Sequence, residues 1–418
     1  MREMKDSGIE WIGDIPKNWI VMPIKYYFSV GRGRVISVND LHDDGKYPVY
    51  SSQTENNGCF GYLRTYDFSG PAITWTTDGA KAGTVFFRDG KYNCTNVCGI
   101  LKIKNQYKQT SDLHFLTYAI SVVAFANKRY DINGFKIMNN EMANIRYAIP
   151  PYEEQQKIAT FLDKKCTEID SLTKDIETQI ENLQQYKKSV ITEAVTKGLD
   201  PNVEMKDSGV DWCDSIPKTW DVRKIKSLVS AMTDGTHASF QRVDNGQYLL
   251  SAKNVFEDGL HISDNESMIS DYDYKAITAN GFPKKNDILM CCVGTIGRCT
   301  KYEYDYPIAF QRSVIFLRTN EEILPDMLKY CLMSSYTLQQ ETLNVNQTAQ
   351  AGLYQGSVGN LKITIPSSIK EQKEIIKFLD QKCSDIDSII ESKQQQLTTL
   401  ADYKKSLIFE YVTGKKEV

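Results

Sequence analysis

Two long amphipathic stripes dominate the pattern of hydrophobic and polar positions in this 418-residue chain. Residues 153–196 lack glycine and proline and are rich in Lys, Glu, Gln and Leu, which predicts one long helix beginning after Pro150-Pro151. Its apolar positions recur every three or four residues, the spacing of a coiled-coil seam. They are Ile158, Leu162, Cys166, Ile169, Leu172, Ile176, Ile180, Leu183, Tyr186 and Val190. A second stripe follows Pro366 and consists of Ile375, Leu379, Cys383, Ile386, Ile390, Leu397, Leu400, Tyr403 and Leu407, with Lys393 as one interruption.

The matching seams predict that the two helices, each roughly 65 Å long at 1.5 Å per residue, pack against each other. A pseudo-twofold axis between the halves of the chain would make them antiparallel and turn them into a rigid spacer. A pair of helices that serves only as a core is the alternative. The helices also carry more apolar positions than a two-helix seam uses, and we expect this surplus to form a subunit interface: Phe161, Ile191, Val195, Phe378, Ile408 and Tyr411.

Internal repeats show why the stripes match. MKDSGIEWIGDIPKNW at 4–19 returns as MKDSGVDWCDSIPKTW at 205–220, with ten of sixteen positions identical, and EQQKIATFLDKKCTEIDSL at 154–172 returns as EQKEIIKFLDQKCSDIDSI at 371–389, with eleven of nineteen identical. The chain is therefore a tandem duplication. The predicted domains are a repeat cap at 1–19, a first variable block at 20–148, a long helix at 149–200, a second cap at 201–220, a second variable block at 221–364 and a long helix at 365–418. Each tryptophan-rich cap is expected to pack as an irregular segment where a block joins the spacer.

The variable blocks have the pattern of small α+β domains. Short β-branched and aromatic runs, such as PAITWTT and VCGILKI in the first and NDILMCCVG and SVIFLRT in the second, predict strands, and residues 111–127 and 322–342 predict helices. Glycine turns at 79–83 and 294–297 follow comparable strands and favour one shared fold with diverged loops. Neither turn has the G-x-x-x-x-G-K-[ST] or G-x-G-x-x-G pattern of a nucleotide-binding loop.

Composition and charge narrow the function. Hydrophobic residues make up 41% and charged residues 25% of the chain, as in an ordinary soluble protein. The amino-terminal segment lacks the apolar run of a signal peptide, which predicts a cytoplasmic protein. The spacing of the ten cysteines and four histidines favours free buried thiols and no metal site. Net charge is −3, but the first block has 15 basic against 10 acidic residues and the second has 14 against 16, so positive charge concentrates in the first block.

The order of variable block, long helix, variable block and long helix resembles the specificity subunit of type I restriction-modification systems. The resemblance covers the whole chain and depends on three stretches of sequence. They are DSGIEWIGDIPKNW, the IP...EQ...I...FLD...ID opening of each long helix, and DGTH at 234–237. It implies a fold of two α/β target recognition domains separated by a pair of long antiparallel coiled-coil helices, with an internal pseudo-twofold duplication. Each domain would read one half of a split, asymmetric site in double-stranded DNA. The helices would set the gap and dock two methyltransferase subunits, which use S-adenosylmethionine, and nuclease-translocase subunits would join that core. The chain itself would need no cofactor.

No motif marks the residues that contact bases, so the candidates follow from side-chain chemistry: Arg and Lys suit guanine, Asn and Gln suit adenine, and Ser or Thr suits several base edges. The polar loops of the first block supply Gln53, Thr54, Asn56, Asn57, Lys81, Lys91, Asn93 and Asn96, with Lys128 and Arg129 expected at phosphates. The second block supplies Thr236, His237, Ser251, Lys253, Asn254, Arg298, Gln311, Arg312, Gln347 and Gln350.

Catalytic functions lack their motifs in this sequence. Ile149-Pro150-Pro151-Tyr152 lacks the Asp or Asn of the [DN]-P-P-[YF] motif of adenine methyltransferases, and Glu371-Gln372-Lys373 lies in helical text without a suitably placed aspartate for a nuclease. We therefore expect a non-catalytic protein. The alternative is a coiled-coil scaffold whose two α+β modules bind proteins or RNA, which the weak overall charge would favour.

Overall fold

The computed structural model describes residues 2–132, 134–344 and 352–418, and the chain forms two compact units. The first unit comprises Met1–Ile176 and Gln394–Val418, and the second comprises Glu177–Lys393. Both boundaries between the units fall within the long helices, so each unit contains part of both helices.

The first half of the chain contains the first variable block and the first long helix. Its elements are β1 (Met4–Asp6), β2 (Asp14–Pro16), β3 (Ile20–Pro23), α1 (Ile24–Tyr27), β4 (Phe28–Arg32), β5 (Tyr47–Tyr50), β6 (Cys59–Leu63), β7 (Phe68–Ser69), β8 (Ala72–Thr76), β9 (Val85–Arg88), β10 (Lys91–Cys94), β11 (Cys98–Ile103), α2 (Leu113–Asn127), β12 (Arg129–Asp131), β13 (Gly134–Lys136), α3 (Asn139–Asn144), β14 (Arg146–Ile149) and α4 (Tyr152–Lys197).

Two four-stranded sheets form the first variable block. An antiparallel sheet has the order β4-β11-β8-β9, and Leu101 on β11 lies between Val30 and Ile73 on its neighbours. The other sheet has the order β6-β5-β10-β7 and contains a parallel pair, in which Asn93 on β10 opposes Val49 on β5. Helix α2 packs its buried face against the antiparallel sheet, in a core that includes Phe115.

The second half repeats this organisation. Its elements are β15 (Met205–Val210), β16 (Cys213–Pro217), β17 (Trp220–Lys224), β18 (Val229–Asp234), β19 (Gln247–Leu250), β20 (Val255–Phe256), β21 (Gly259–Leu260), β22 (Met268–Ile269), α5 (Asp271–Thr278), β23 (Ile288–Cys291), β24 (Cys299–Lys301), β25 (Ala309–Phe310), β26 (Val314–Thr319), α6 (Pro325–Met333), α7 (Ser335–Asn344), α8 (Gln355–Asn360), β27 (Lys362–Pro366) and α9 (Ile369–Val412).

The sheets of the second block match those of the first. An antiparallel sheet has the order β18-β26-β23-β24, with Leu317 between Met232 and Ile288, and a smaller sheet has the order β22-β19-β25, with β19 and β25 parallel. The shared fold predicted from the glycine turns is confirmed, because the amide of Gly83 donates to Thr76 at 2.9 Å and that of Gly297 donates to Cys291 at 3.0 Å in equivalent turns. The helix predicted at 322–342 is interrupted at Ser334, where α6 ends and α7 begins.

Both variable blocks begin and end on a pair of antiparallel strands. In the first, β3 pairs with β14, so that Ile20 lies opposite Ile149. In the second, β17 pairs with β27, so that Trp220 lies opposite Pro366. The two ends of each block are therefore neighbours at the start of a long helix, and the residues between them form an insert on a fixed two-stranded base.

The repeated tryptophans bind the start of each long helix. The indole nitrogen of buried Trp19 donates to Glu154 Oε2 at 3.1 Å, and that of buried Trp220 donates to Glu371 Oε1 at 2.9 Å. The next repeat positions make equivalent contacts. Gln155 and Gln372 accept the amides of Asp112 and Leu324, both at 2.9 Å, and Asp163 and Asp380 accept the hydroxyls of Tyr118 and Tyr330 at 2.8 and 2.6 Å. The Glu, Gln and Asp residues that the two repeats share thus attach each block to its helix.

The repeat caps are ordered hairpins, so the expectation of an irregular cap is wrong. Strand β1 pairs with β2 and β15 pairs with β16, both antiparallel. Each turn is closed by an aspartate that accepts the amide of a glycine in the left-handed region: Asp6 binds Gly8 (φ 66°) and Asp207 binds Gly209 (φ 71°), both at 2.8 Å. The signal in the sequence was the D-S-G triplet common to both copies.

The long helices pack antiparallel within each unit, as predicted. In the first unit, Ile158 and Leu162 near the start of α4 share a core with Leu407 and Val412 near the end of α9. In the second, Ile191 and Val195 near the end of α4 share a core with Ile375 and Leu379 near the start of α9.

The predicted seam is wrong at three of its positions. The exposed fractions of Leu172, Tyr186 and Tyr403 are 51%, 55% and 54%, whereas the adjacent Lys187 and Lys404 are only 14% and 29% exposed at their side chains. The ammonium groups of these lysines reach Asp387 at 2.8 Å and Asp170 at 2.6 Å on the facing helix. At two of the three positions, lysine stems therefore fill the place in the seam that the sequence pattern assigned to the neighbouring tyrosine.

Candidate nucleic-acid interface

Three loops of the first block meet where the parallel strands end, and we call residues 33–34, 51–57 and 95–97 the first loop cluster. Arg34 and Thr95 form a parallel β-bridge, and the amide of Thr95 donates to Tyr50 at 2.8 Å. Gly33 makes the close approach possible, because a Cβ atom at this position would lie 1.8 Å from the carbonyl oxygen of Cys94. The cluster thus has a backbone frame fixed by hydrogen bonds and an exposed polar surface.

The second block builds the same frame from residues 235–237, 251–254 and 311–313, the second loop cluster. Thr236 and Gln311 form the parallel bridge, and the amide of Gln311 donates to Leu250 at 2.8 Å. A Cβ atom on Gly235 would lie 2.2 Å from the carbonyl oxygen of Gln311. Positions 34 and 236, 51 and 251, 95 and 311, and 96 and 312 are therefore structurally equivalent.

Side chains differ between the two clusters although the backbones agree. The first cluster presents Arg34 and Asn96 where the second presents Thr236 and Arg312. Lys253 of the second cluster is exposed and forms a salt bridge with Glu266 at 2.8 Å. His237 lies beside Asp234, with 2.6 Å between Nε2 and Oδ2. The two clusters therefore offer different donors and acceptors on one common support.

Several candidates of the first block are exposed in or near the loops. Asn56 and Asn57 lie in the left-handed region (φ 47° and 55°) at the exposed tip of the loop. Gln53 and Thr54 are partly buried, and the side-chain amide of Gln53 donates to the carbonyl of Cys59. Asn96 is exposed next to the bridge. Lys81 is exposed on the glycine turn at 79–83, and Lys91 lies with its ammonium 4.6 Å from the centre of the Tyr66 ring.

Lys128 and Arg129 stand at the start of a short hairpin, β12–β13, outside the first loop cluster. The ammonium of Lys128 lies 4.0 and 4.5 Å from the ring centres of Phe125 and Phe135, and Arg129 forms a salt bridge with Glu141 at 2.5 Å. The bridge between Asp78 and Lys136 attaches this hairpin next to the glycine turn that carries Lys81. These basic groups therefore lie on neighbouring segments of the block.

Three candidates support the loops through their own hydrogen bonds. Asn93 is fully buried, and its amide nitrogen donates to Thr65 at 2.9 Å. Asn254 is 2% exposed and caps the turn that begins at Ser251, whose amide it accepts at 3.0 Å. Arg298 donates to the carbonyl of Ala252 at 2.7 Å and stacks on Phe256. Ser251 itself is partly buried in this turn, and Gln347 and Gln350 lie outside the described residues.

The expected subunit interface divides into two groups. Ile191 and Val195 are 1% and 0% exposed in the core of the second unit, so intramolecular packing already covers them. Phe161, Phe378, Ile408 and Tyr411 are partly buried at the margins of the cores, and the rings of Phe161 and Tyr411 are 4.5 Å apart. With the exposed Leu172, Tyr186 and Tyr403, they leave apolar surface on the helices.

Arg34 and its partner Asp67 are functional candidates that the sequence alone did not predict. Arg34 Nε lies 2.8 Å from Asp67 Oδ2, and the amide of Asp67 is accepted by the side chain of Asn93 at 3.0 Å. The signal was present in the text, since both Gly33-Arg34 and Gly235-Thr236 come directly after the first strand of the antiparallel sheet. Finding it required the alignment of two loops whose sequences share little beyond one glycine.

Among the residues that the structure describes, no group of His, Cys, Asp and Glu has an arrangement that could hold a metal ion, and no helix is long and apolar enough to cross a membrane. The loop clusters offer amide, hydroxyl, imidazole and guanidinium groups on a backbone that is held by hydrogen bonds. Such groups suit hydrogen bonds to base edges and phosphates.

Comparison with known proteins agrees with this chemistry. Residues 16–182 and 217–399 both match the type I restriction modification DNA specificity domain. A type I specificity subunit N-terminus of Mycoplasma pneumoniae is 43% identical over 141 residues, which cover 34% of this chain and 74% of the relative. A second M. pneumoniae type I specificity subunit is 36% identical over 179 residues, and only 57% of its length is spanned.

Two relatives extend over nearly the whole chain. The MjaVIII type I restriction enzyme specificity subunit of Methanocaldococcus jannaschii is 26% identical over 97% of this chain and 94% of its own length. A chain in a solved structure of a type I R-M system covers 96% of this chain and 99% of its own with a TM-score of 0.66 at 13% identity, which shows the fold. Because the family match covers both repeats and most of the residues, the chain belongs to the type I restriction-modification specificity subunits, the non-catalytic DNA-recognition components of these enzymes.

Proposed function

We propose that each variable block reads one half of a bipartite, asymmetric site in double-stranded DNA. The observation that carries this proposal is the pair of loop clusters, which share a backbone frame and differ in their side chains. A common frame would present each cluster to a duplex in the same way, while different donors and acceptors would select different bases. A single duplicated chain would thus read two unlike half-sites without a palindrome.

The long helices would hold the two blocks at a set separation along the DNA. Helix α4 has 46 residues and α9 has 44, which corresponds to roughly 65–70 Å each at 1.5 Å per residue. Half-sites read from one face of a duplex lie about 34–36 Å apart or at multiples of that distance. Continuous helices packed as an antiparallel pair resist bending better than a loop of the same length, so they suit a spacer.

The same helices would dock two methyltransferase subunits, which would use S-adenosylmethionine, and nuclease-translocase subunits would join that core. Support comes from the apolar surface that the helix pair leaves uncovered, including Leu172, Tyr186 and Tyr403. Such a complex would act on DNA in the cytoplasm. A scaffold for proteins or RNA has less support, because the family to which the chain belongs recognises DNA.

Exchange of one block tests the modular proposal. Residues 20–148 are replaced by the corresponding block of another specificity subunit, and the complex with methyltransferase subunits is analysed by methylation mapping of a random DNA library. Because strands β3 and β14 hold the two ends of the block together, we expect the exchange to change one half-site and to keep the other half-site and the gap. A change in both half-sites, or in neither, would contradict the proposal.

A further inference from the structure

Arg34 has the geometry of a pre-oriented side chain in the first loop cluster. Its backbone is fixed by the bridge to Thr95 and by a hydrogen bond from its own amide to the carbonyl of Cys94 at 3.2 Å. Its guanidinium is held at Nε by Asp67 at 2.8 Å, and the side chain remains 50% exposed. The two terminal nitrogens of the guanidinium are not used in this salt bridge, and they carry four of its five N–H donors.

Asp67 is itself held in place by the buried side chain of Asn93. Its amide donates to Asn93 Oδ1 at 3.0 Å, and the amide nitrogen of Asn93 donates to the carbonyl of Thr65 at 2.9 Å. Asn93 is fully buried, so this support is part of the core of the block. The chain of contacts from Asn93 through Asp67 to Arg34 limits the rotamers of a long side chain before any ligand binds, which lowers the entropy lost on binding.

A guanidinium fork suits one base edge above the others. Guanine presents two acceptors, O6 and N7, in the major groove, and arginine donates to both in a bidentate pair. The equivalent residue in the second cluster is Thr236, which is too short and has one hydroxyl in place of the fork. In that cluster the guanidinium is instead at position 312, where the first cluster has Asn96.

We propose that Arg34 is a specificity-determining residue that reads a guanine in the half-site of the first block, with Asp67 as its positioning residue. The inference rests on the proposed function, since it assumes that the loop cluster faces DNA. It adds a base, a side chain and a supporting carboxylate to that function. It also predicts that the second block has no contact of this kind at the equivalent position.

Substitutions of Arg34 test the inference in the complex of the full chain with methyltransferase subunits. The substrates are DNA libraries randomised at one half-site at a time, and methylation of every sequence is counted. We expect Arg34→Gln to reduce the preference for guanine at one position of one half-site by about 5- to 150-fold, the range for loss of a bidentate contact, and Arg34→Lys to reduce it less, because a lysine can also donate to guanine. A contact to phosphate alone would instead lower methylation of all sequences equally in Arg34→Gln, which loses the positive charge, and Arg34→Lys would restore it. Asp67→Asn should weaken the same preference by less.

Arg64→Gln is the matched control, because Arg64 is an exposed arginine of the same block that forms a salt bridge with Asp44 outside the loop cluster. It should leave both half-sites unchanged. An unaltered guanine preference in the Arg34 variants, or an equal loss of methylation on all sequences, would overturn the assignment of Arg34. A wild-type complex without a bipartite site would instead overturn the proposed function, and the role of Arg34 with it.

Discussion

The carboxyl group of Glu341 is an uncompensated buried acid. Its side chain is 2% exposed on α7, and its Oε1 has no hydrogen-bonding partner among the described residues. Its other oxygen covers Gly297, where an added Cβ would lie only 2.1 Å from Oε2. Burial raises the pKa of Glu341 from 4.5 to about 8. The carboxyl group is therefore protonated in the folded chain at neutral pH.

This residue should make the stability of the second unit depend on pH. Between pH 4.5 and about 8 the folded chain keeps a proton that the unfolded chain releases. Ionisation of Glu341 therefore does not lower the free energy of unfolding at low pH. The free energy of unfolding falls as the pH rises through this window, because the buried carboxyl group must lose its proton. We expect Glu341→Gln to be within about 1 kcal/mol of wild type at pH 5 and on the order of 2 kcal/mol more stable at pH 8.5. Urea denaturation of both proteins across this range measures the difference.

Glu391→Gln serves as the control, since Glu391 is exposed on α9 of the same unit. Its stability relative to wild type should stay constant from pH 5 to 8.5. Parallel curves for the Glu341 variant and wild type would show that Glu341 ionises as it does in water.

At the scale of elements, the sequence predicted what depends on local periodicity. The long helices, predicted at 153–196 and after Pro366, occur at Tyr152–Lys197 and Ile369–Val412, because helix-forming residues and a preceding proline act within one segment. The sequences PAITWTT and VCGILKI form β8 and β11, as predicted, because strand-forming residues also act within one segment. The residues of each helix that face the other helix were less predictable, since Lys187 and not Tyr186 lies in the seam. A hydropathy pattern treats lysine as polar and overlooks its apolar stem.

Contacts between distant segments determine which candidate residues are buried and which are exposed. Asn93 and Asn254 look like any exposed polar loop residue in the text, yet both are buried by turns that close through their amides. Arg34 was overlooked because its importance depends on a bridge to Thr95, which is 61 residues away. Loop residues became informative only after the two blocks could be compared position by position, a comparison that requires the strand register.

The lysines of the seam allow a test of whether packing of their stems or their ion pairs stabilise the helix pair. The Lys187 side chain is 14% exposed and lies 2.8 Å from Asp387, which is half exposed. If its stem contributes by packing, Lys187→Ala should cost about 1–2 kcal/mol of stability, whereas Lys187→Met should stay within about 0.5 kcal/mol of wild type. Chemical denaturation of the three proteins provides the comparison. Lys165→Ala, in an exposed pair with Glu168 on α4, is the control and should change stability by less than about 0.5 kcal/mol. Equal losses for Lys187→Ala and Lys187→Met would assign the effect to the ion pair.

At the scale of the whole molecule, charge is distributed unevenly over a chain whose net charge is only −3. The first block has an excess of five basic residues, and the second has an excess of two acidic ones. A protein of this composition would not attract DNA through its overall charge, so any electrostatic attraction must come from local groups. Lys81 and Lys128, on the glycine turn and at the adjacent hairpin of the first block, are well placed for this role.

Salt dependence separates these phosphate contacts from base contacts. Each phosphate neutralised by a lysine contributes about 0.9 to the slope of log affinity against log salt concentration, because a counterion is released. We expect Lys81→Gln and Lys128→Gln each to reduce that slope by about 0.9 and to weaken binding equally for matched and mismatched sites. Binding of the methyltransferase complex to labelled duplexes between low and moderate salt measures both quantities. Lys285→Gln is the control, since Lys285 pairs with Asp305 in the second block, outside both loop clusters, and its slope should equal that of wild type. A Lys81 or Lys128 variant that kept the wild-type slope and lost affinity only for the matched site would be a reader of bases, and the phosphates would have to be bound elsewhere on the block.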